Sequence, residues 1–350
     1  MQTRRTTLKF LAVGAVASPA IVSSAVAQGG LDNVTLGVPG SVSDGSFFAA
    51  IHKGFFKEQR INIVPADVVA GSQLVAPLGA GQVDAGAGAT SAGMYNAIAR
   101  GIDIRMGADK SSNMPNYCYM ALLVRKDHVD SGRYKSFSDL KGFKIAEAGK
   151  AGAPGSTLNE AMKKGGLTYD DAEHVYNMPY PDMAAALQNK AIDAAIVIEP
   201  NSTRARMMGV AVRYPSDLFY PTQNVAPLLC SGKFLRDKKE LAQRFMIAYL
   251  QGIRYYNDAC KDGRLAGPNA DEMIDIMVKY SRVKDPAIYR DATPNGVDPD
   301  GKLDLASLNK DLTFYKDMKL ITGSVTVEDA IDTSLMEAAA KQLGPYKRAS

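Results

Sequence analysis

The sequence predicts an α/β protein of two lobes joined by two chain crossings, with a ligand cleft between them. Three observations lead there. Two separate series of short apolar strands alternate with helices, one over residues 34–106 and one over 144–198. Such alternation builds parallel sheets with crossover helices. A short motif recurs: Leu78-(x4)-Val83-Asp84-Ala85 in the first series returns as Leu187-(x4)-Ile192-Asp193-Ala194 in the second. Two related lobes would produce it, although so short a match cannot carry the fold alone. At 350 residues the chain also has room for two domains of roughly 150 residues each.

In the first series, Val34–Val38 alternates like a strand and enters the loop Pro39-Gly40-Ser41-Val42-Ser43-Asp44-Gly45. Phe47–Lys53 reads as a helix, with Phe48, Ile51 and Phe55 at helical spacing and Gly54 as its stop. Ile61–Val69 is strand-like, and Gly71-Ser72 opens a short helix that Ser72 is able to cap. Val83–Gly88 reads as a buried strand of small residues, Ala92–Arg100 as a helix ended by Gly101, and Ile102–Met106 as a strand.

In the second series, Lys144–Ala148 reads as a strand. Gly152-Ala153-Pro154-Gly155-Ser156-Thr157 is a small-residue loop opening the helix Leu158–Lys164. Val175–Met178 is a strand, Asp182 caps the helix Met183–Asn189, and Ala194–Ile198 is the next strand, ending at Glu199-Pro200. The apolar segments Tyr119–Val124 and Val225–Leu229 carry the chain between the series. The remainder reads as helix over Leu235–Ala259, Asp271–Tyr280, Leu305–Met318 and Val327–Gln342. With no sheet of their own, these helices should pack back on the first lobe. Lobe 1 is thereby expected at 28–121 and 228–350, and lobe 2 at 122–227.

Composition removes several classes of function. Hydrophobic residues make up 46% and charged residues 22%, so the chain is neither disordered nor fibrous. Lys plus Arg number 41 against 37 for Asp plus Glu, with no basic run, which argues against a nucleic-acid partner. The three Cys and three His are scattered without metal-ligand spacing, so neither a metal nor any other cofactor is expected. His52, His128 and His174 are expected at or near the surface. Cys118 and Cys230 flank the two crossing segments, so a bridge between them is one reading and two buried thiols the preferred one.

Residues 1–27 read as an export signal. Arg4, Arg5 and Lys9 form a basic start, Leu11 to Val22 is apolar but short for a membrane span, and Ala25-Val26-Ala27 fits a cleavage site. Thr3-Arg4-Arg5-Thr6-Thr7-Leu8-Lys9 is similar to the twin-arginine signal, with Thr7 where Phe is usual; a general secretory signal is the alternative. Cleavage removes three positive charges and takes the net charge from +4 to near +1. No stable membrane insertion is expected, and a bacterial periplasm fits best.

Family motifs now occur in order along the chain. They are Lys53-Gly54-Phe55-Phe56-Lys57-Glu58, the Val83-Asp84-Ala85 repeat, Ser138-Asp139-Leu140-Lys141-Gly142, and Asp193-Ala194-Ala195-Ile196-Val197-Ile198-Glu199-Pro200. Met336-Glu337-Ala338-Ala339-Ala340-Lys341-Gln342-Leu343-Gly344 closes the series. Together they resemble the periplasmic solute-binding proteins of ABC importers for nitrate, sulfonates and taurine, and their relatives for thiamine-pyrimidine precursors. The resemblance covers essentially the whole mature chain. It implies the type II periplasmic binding protein fold, a small-molecule solute, and an ABC permease with its ATPase as partners of a monomeric receptor. It also carries two alternatives: an enzyme like those that make the thiamine pyrimidine, whose cysteine-rich segment is missing here, and a binding subunit of a membrane sensor. Three positions depart from the family pattern. Gln59-Arg60 replaces a frequent Gly, Pro77 falls inside a short helix, and Asn189-Lys190 replaces a helix-ending Gly, with Asn189 expected to take the left-handed turn.

In open α/β sheets ligands sit outside the carboxyl ends of strands, where helix N-termini offer unpaired N–H groups to anions. The loops at such ends nominate Ser41, Ser72, Thr90, Ser91, Gly155, Ser156 and Thr157 as ligand contacts. Helix capping explains Ser72, Thr90 and Ser156 equally well. Phe47, Tyr95, Tyr119 and Tyr180 are candidate aromatic walls, Phe47 and Tyr95 being as readily core. Glu199 either braces the hinge or, as the resemblance implies, faces the cleft. Asp84 and Asp193 are expected to bond local turn N–H groups, Lys150 either to supply positive charge or, as preferred, to be solvated, and Arg204 and Arg206 to lie on a helix surface. The solute so indicated is a small organic molecule with one anionic group.

Overall fold

The computed structural model describes residues 30–68 and 70–349. The export signal expected over residues 1–27 lies outside the described residues.

Two five-stranded sheets organise the chain. The first takes β1 (Asp32–Gly37), β2 (Ile61–Ala66), β3 (Ala85–Ala87) and β4 (Ile104–Asn113). The second takes β5 (Met120–Arg125), β6 (Lys144–Ala146), β7 (Glu173–Val175), β8 (Ala194–Ile198) and β9 (Ala211–Pro215). Strand β10 (Gln223–Ser231) then returns to the first. The orders β2-β1-β3-β10-β4 and β7-β6-β8-β5-β9 follow one plan. Three strands are parallel. The fourth, which has just crossed from the other sheet, runs antiparallel beside the edge strand. The sheets are therefore mixed, not wholly parallel as expected. The chain leaves the first sheet after Asn113 and joins the second at Met120; it returns between Pro215 and Gln223. The switches fall a few residues before the expected boundaries at 121/122 and 227/228, because β5 and β10 begin earlier than their apolar centres suggest.

Strand alternation places the cores. In β5, Leu122 and Val124 face one core and Leu123 another, and in β8 Ala194 and Ile196 part from Ala195 and Val197 in the same way. The helix Lys239–Ala259 buries Phe245, Tyr249 and Ile253 against the first sheet with the helices Gly45–His52 and Ala270–Tyr280. The helix Leu305–Asp317 departs from the expectation that all the late helices pack on the first lobe. It contacts the helix Ala153–Lys164 of the second sheet and β10 of the first. Its Phe314 lies edge-on to Tyr169 at 5.2 Å and its Tyr315 lies 6.4 Å from Tyr95, so one helix braces both sheets.

The internal repeat is carried by a two-bond clasp. Asp84 accepts from the Thr35 N–H at 2.9 Å, and its own N–H donates to the Thr35 carbonyl at 2.9 Å. Asp193 accepts from the Lys144 N–H at 3.0 Å and donates to the Lys144 carbonyl at 2.8 Å. The two clasps span the same sequence separation. The bonds go to the neighbouring strand, not to a local turn as expected.

Arg60 takes φ 58°, the left-handed turn that its place in the sequence suggests. Lys190 at φ 60°, and not Asn189, makes the turn after the helix Tyr180–Gln188. Asp182 lies inside the first turn of that helix, whose cap is Pro179. Cys118 and Cys230 are buried, unbridged thiols. Cys230 stands near the far end of β10 from the crossing, while Cys118 lies in the crossing segment itself. His52 is exposed as expected, but His128 is 4% exposed and its Nε2 lies 2.6 Å from Asp193 Oδ1. The His174 side chain is also covered.

Asp193→Ala leaves the Lys144 N–H and His128 without their acceptor, and is expected to cost about 2 kcal/mol of stability in urea unfolding. Burial pushes the Asp109 carboxyl up to about 7 and the Asp311 carboxyl up to about 6. The folded state thus holds these protons at pH values where the unfolded chain has lost them. Their contribution to stability is greatest at or below the ordinary carboxylate pKa and is lost as pH rises through about 6–7. The thermal midpoint is expected to fall from pH 5 to 8, and to fall less in Asp109→Asn.

Candidate functional site

The carboxyl ends of the parallel strands of both sheets open onto one cleft of about 760 Å³, within the size range of small-molecule sites. The chain after β1 supplies Pro39, Ser41, Ser43 and Asp44; that after β2 supplies Ala70, Gly71 and Ser72. Ala87 ends β3 and residues 88–91 follow it, residues 148–154 follow β6, and Tyr176, Asn177 and Tyr180 follow β7. Ile198 ends β8, and Tyr119 and Met120 lie where β5 begins. Gly71 is required by close approach: a Cβ there would stand 2.7 Å from the Ala87 carbonyl oxygen.

The floor holds a buried ion pair. Lys110 Nζ lies 2.7 Å from Asp44 Oδ1 and donates to Ser43 Oγ at 2.9 Å; the two charged side chains are 4% and 0% exposed. The Ser41 N–H donates to Asp44 Oδ2 at 2.8 Å, and Ser41 Oγ accepts from the Ser43 N–H at 3.3 Å. The carboxylate is thereby held by its own loop, and the ammonium is spent on Asp44 and Ser43 where Lys110 lines the cleft.

The walls hold the other sequence-nominated hydroxyls. Thr90 Oγ1 donates to the Val225 carbonyl at 3.0 Å, and Ser91 Oγ accepts from the Met94 N–H at 3.2 Å as the cap of the helix Ala92–Ala99. Ser72 is exposed and caps nothing; Ala70 occupies the cap position. The hydroxyls of Ser72 and Tyr180 make no hydrogen bond among the described residues. Burial raises the Tyr119 and Tyr180 phenols above their ordinary range, so both remain neutral donors. One rim is a stack: the His174 ring lies 4.1 Å from that of Tyr169 and 5.3 Å from that of Tyr176. Lys150 Nζ sits 5.5 Å from the Tyr176 centroid. Across the cleft the two sheets touch where the Ala92 N–H donates to the Ala151 carbonyl at 2.9 Å and Ser91 bridges to Gly152.

Ser41, Ser72, Thr90, Ser91 and Tyr180 thus gather at one cleft, with Tyr119; the other nominated residues do not. Phe47 is 0% exposed and stacks on Tyr249 at 4.4 Å, and Tyr95 is core beside Tyr315. Gly155, Ser156 and Thr157 lie inside the helix Ala153–Lys164, which begins ahead of the expected start at Leu158 with Pro154 in its first turn. Ser156 donates to Asp311, and Thr157 donates to Gln223 Oε1 at 2.7 Å. Glu199 does not line this cleft. It accepts from the Thr203 N–H at 3.1 Å and the Thr293 N–H at 3.4 Å, with Arg213 Nε 3.4 Å from its carboxylate. Sequence reasoning missed Lys110 because the strand was expected to end at Met106, whereas it runs on to Asn113. Lys150 lines the rim instead of standing free in solvent.

Two mixed α/β sheets with a cleft at their carboxyl ends define the two-lobe periplasmic binding protein fold. The periplasmic aliphatic sulphonate binding protein SsuA from Escherichia coli has this fold, at TM-score 0.68 and 18% identity over 86% of this chain and 92% of its own. So has the alkanesulfonate-binding protein SsuA from Xanthomonas axonopodis pv. citri bound to MOPS, at 0.65 and 19% over 87% and 99%. The periplasmic nitrate-binding protein NrtA from Synechocystis PCC 6803 matches at 0.68 and 13% over 89% of each chain. No curated protein sequence matches the chain. The NMT1/THI5-like family model matches residues 42–259, and the chain belongs to that family.

Lys110→Met strands the Asp44 charge in the floor and is expected to cost about 3 kcal/mol. Adding Asp44→Asn should recover most of that loss, as read from urea midpoints of the single and double variants.

Proposed function

We propose that the protein is an exported solute receptor that captures a small organic anion in the cleft and presents its closed form to an ABC import permease and its ATPase. The observation that carries this reading is the supply of unspent donors in an otherwise apolar cleft. Ser72, Tyr180 and Lys150 make no hydrogen bond among the described residues, while Tyr119, Met120, Tyr176 and Ile198 offer apolar surface. A site with fixed donors and little buried machinery for bond breaking suits recognition.

Ser41, Ser72, Thr90, Ser91 and Tyr180 are the proposed contacts. Lys150 supplies positive potential from the rim, while the charge of Lys110 in the floor is balanced by Asp44. The crossing segments 114–119 and 216–222 form the hinge, and the Ala92–Ala151 hydrogen bond is the contact made on closure. The protein acts as a monomer in the periplasm, with the segment 1–27 as its export signal. The shared fold of the sulphonate-binding and nitrate-binding periplasmic proteins supports this assignment.

Thermal unfolding against sulfonates, nitrate, aromatic carboxylates and pyrimidines tests the reading. A ligand at about 100 times its Kd should add roughly 2.7 kcal/mol, several degrees at this size. Tyr180→Phe or Ser72→Ala should weaken that ligand by roughly 2- to 10-fold. A folded, ligand-free protein that shifts with no class of solute would overturn the reading.

A further inference from the structure

A second groove, of about 340 Å³, continues the cleft. The two share Pro39, Ser41, Tyr180 and Ile198, so a ligand in one can extend past Ser41 and Tyr180 into the other. Arg204 and Arg282 line this extension. Arg204 belongs to the helix Asn201–Met207 beside the second sheet. Arg282 follows the helix Ala270–Tyr280 beside the first sheet, and its N–H donates to the Gly40 carbonyl at 3.0 Å.

Nearby arginines are matched to carboxylates: Arg206 to Asp291, Arg290 to Asp271, and Arg213 to Glu199. The guanidinium groups of Arg204 and Arg282 have no ion-pair or hydrogen-bond partner among the described residues. Glu199 is the acid lining the groove, and its oxygens already accept from Thr203 and Thr293 beside Arg213. The groove therefore carries uncompensated positive charge, held on two planar forks suited to carboxylate or sulfonate. The two forks stand on segments of different sheets, so an anion between them would be gripped from both sides.

Resting on the receptor reading, we infer that the extension is a second anion subsite and that the solute is an elongated organic dianion. One anionic group lies among Ser72, Lys150 and the hydroxyls of the main cleft. An apolar body lies against Tyr119, Tyr176 and Tyr180. The other anionic group lies on Arg204 and Arg282. This replaces the single anionic group that the sequence indicates, because residues 204 and 282 are brought together by the fold alone.

Calorimetric titration of the purified protein with terephthalate against benzoate, and 4-sulfobenzoate against benzenesulfonate, reads the second charge directly. Each dianion is expected to bind at least about tenfold tighter than its monoanion. Arg204→Ala with Arg282→Ala should remove that gap while changing monoanion affinity less than about twofold; the paired Arg→Lys variant should keep part of it. Equal affinities in the unmodified protein, or a gap that survives the double Ala variant, would overturn the subsite and leave the receptor reading intact. Binding of neither class would overturn the dianion assignment, and the broader solute panel then decides the receptor reading separately.

Discussion

The whole arrangement depends on keeping buried polar groups satisfied where the chain passes from one sheet to the other. Two strands must leave a sheet, turn, and enter another without exposing their amides to apolar surroundings. Asn113, the last residue of β4, accepts from the Met120 N–H that begins β5 at 3.2 Å. Its amide reaches Gln223, the first residue of β10, at 3.4 Å. Gln223 accepts from Thr157 and donates to Asp311, and Asn224 donates to Asp109 at 2.7 Å. Both crossings, the helix Ala153–Lys164 and the brace Leu305–Asp317 therefore meet in one buried hydrogen-bonded network. Such a network favours one mutual placement of the sheets, since a displaced member would leave its neighbours unpaired.

Each sheet is closed by the same local device. The aspartate before β3 and the aspartate before β8 clasp the first parallel strand of their own sheet by two bonds each. The clasp aligns Leu36 with Ala85 and Ile145 with Ala194. It therefore fixes where the strands end, and so where the loops of the cleft begin. In the cleft, hydroxyls committed to the backbone, such as Thr90 and Ser91, stand beside donors left free, such as Ser72. The committed groups shape the wall and the free ones are available to a solute.

Much of this was legible from residue pattern. Alternation and helical spacing located nearly every strand and helix of the two series, and the repeat at Asp84 and Asp193 marked equivalent positions. Loops at strand ends nominated Ser41, Ser72, Thr90, Ser91 and Tyr180 as ligand contacts, and these five line one cleft. The same rule failed at Gly155, Ser156 and Thr157 because Pro154 starts the helix earlier, which turns loop residues into buried helix. At Glu199 both readings, hinge brace and ligand contact, were open, and its carboxylate accepts from the nearby Thr203 N–H and the distant Thr293 N–H beside Arg213.

Local pattern by itself determined what neighbouring residues decide: the α/β class, the order of elements, the short repeat and the loops that begin helices. Periodicity and capping act over a few residues, so they can be read in one dimension. Tertiary structure alone decided which groups are spent and which are free. Lys110 meets Asp44, and Asp311 meets Ser156, although each pair is far apart in the chain. Arg204 and Arg282 share a groove although one lies in the helix Asn201–Met207 and the other follows the helix Ala270–Tyr280, far along the chain. Charge compensation and desolvation depend on distance in space, and that distance exists only once both sheets have closed around the crossings.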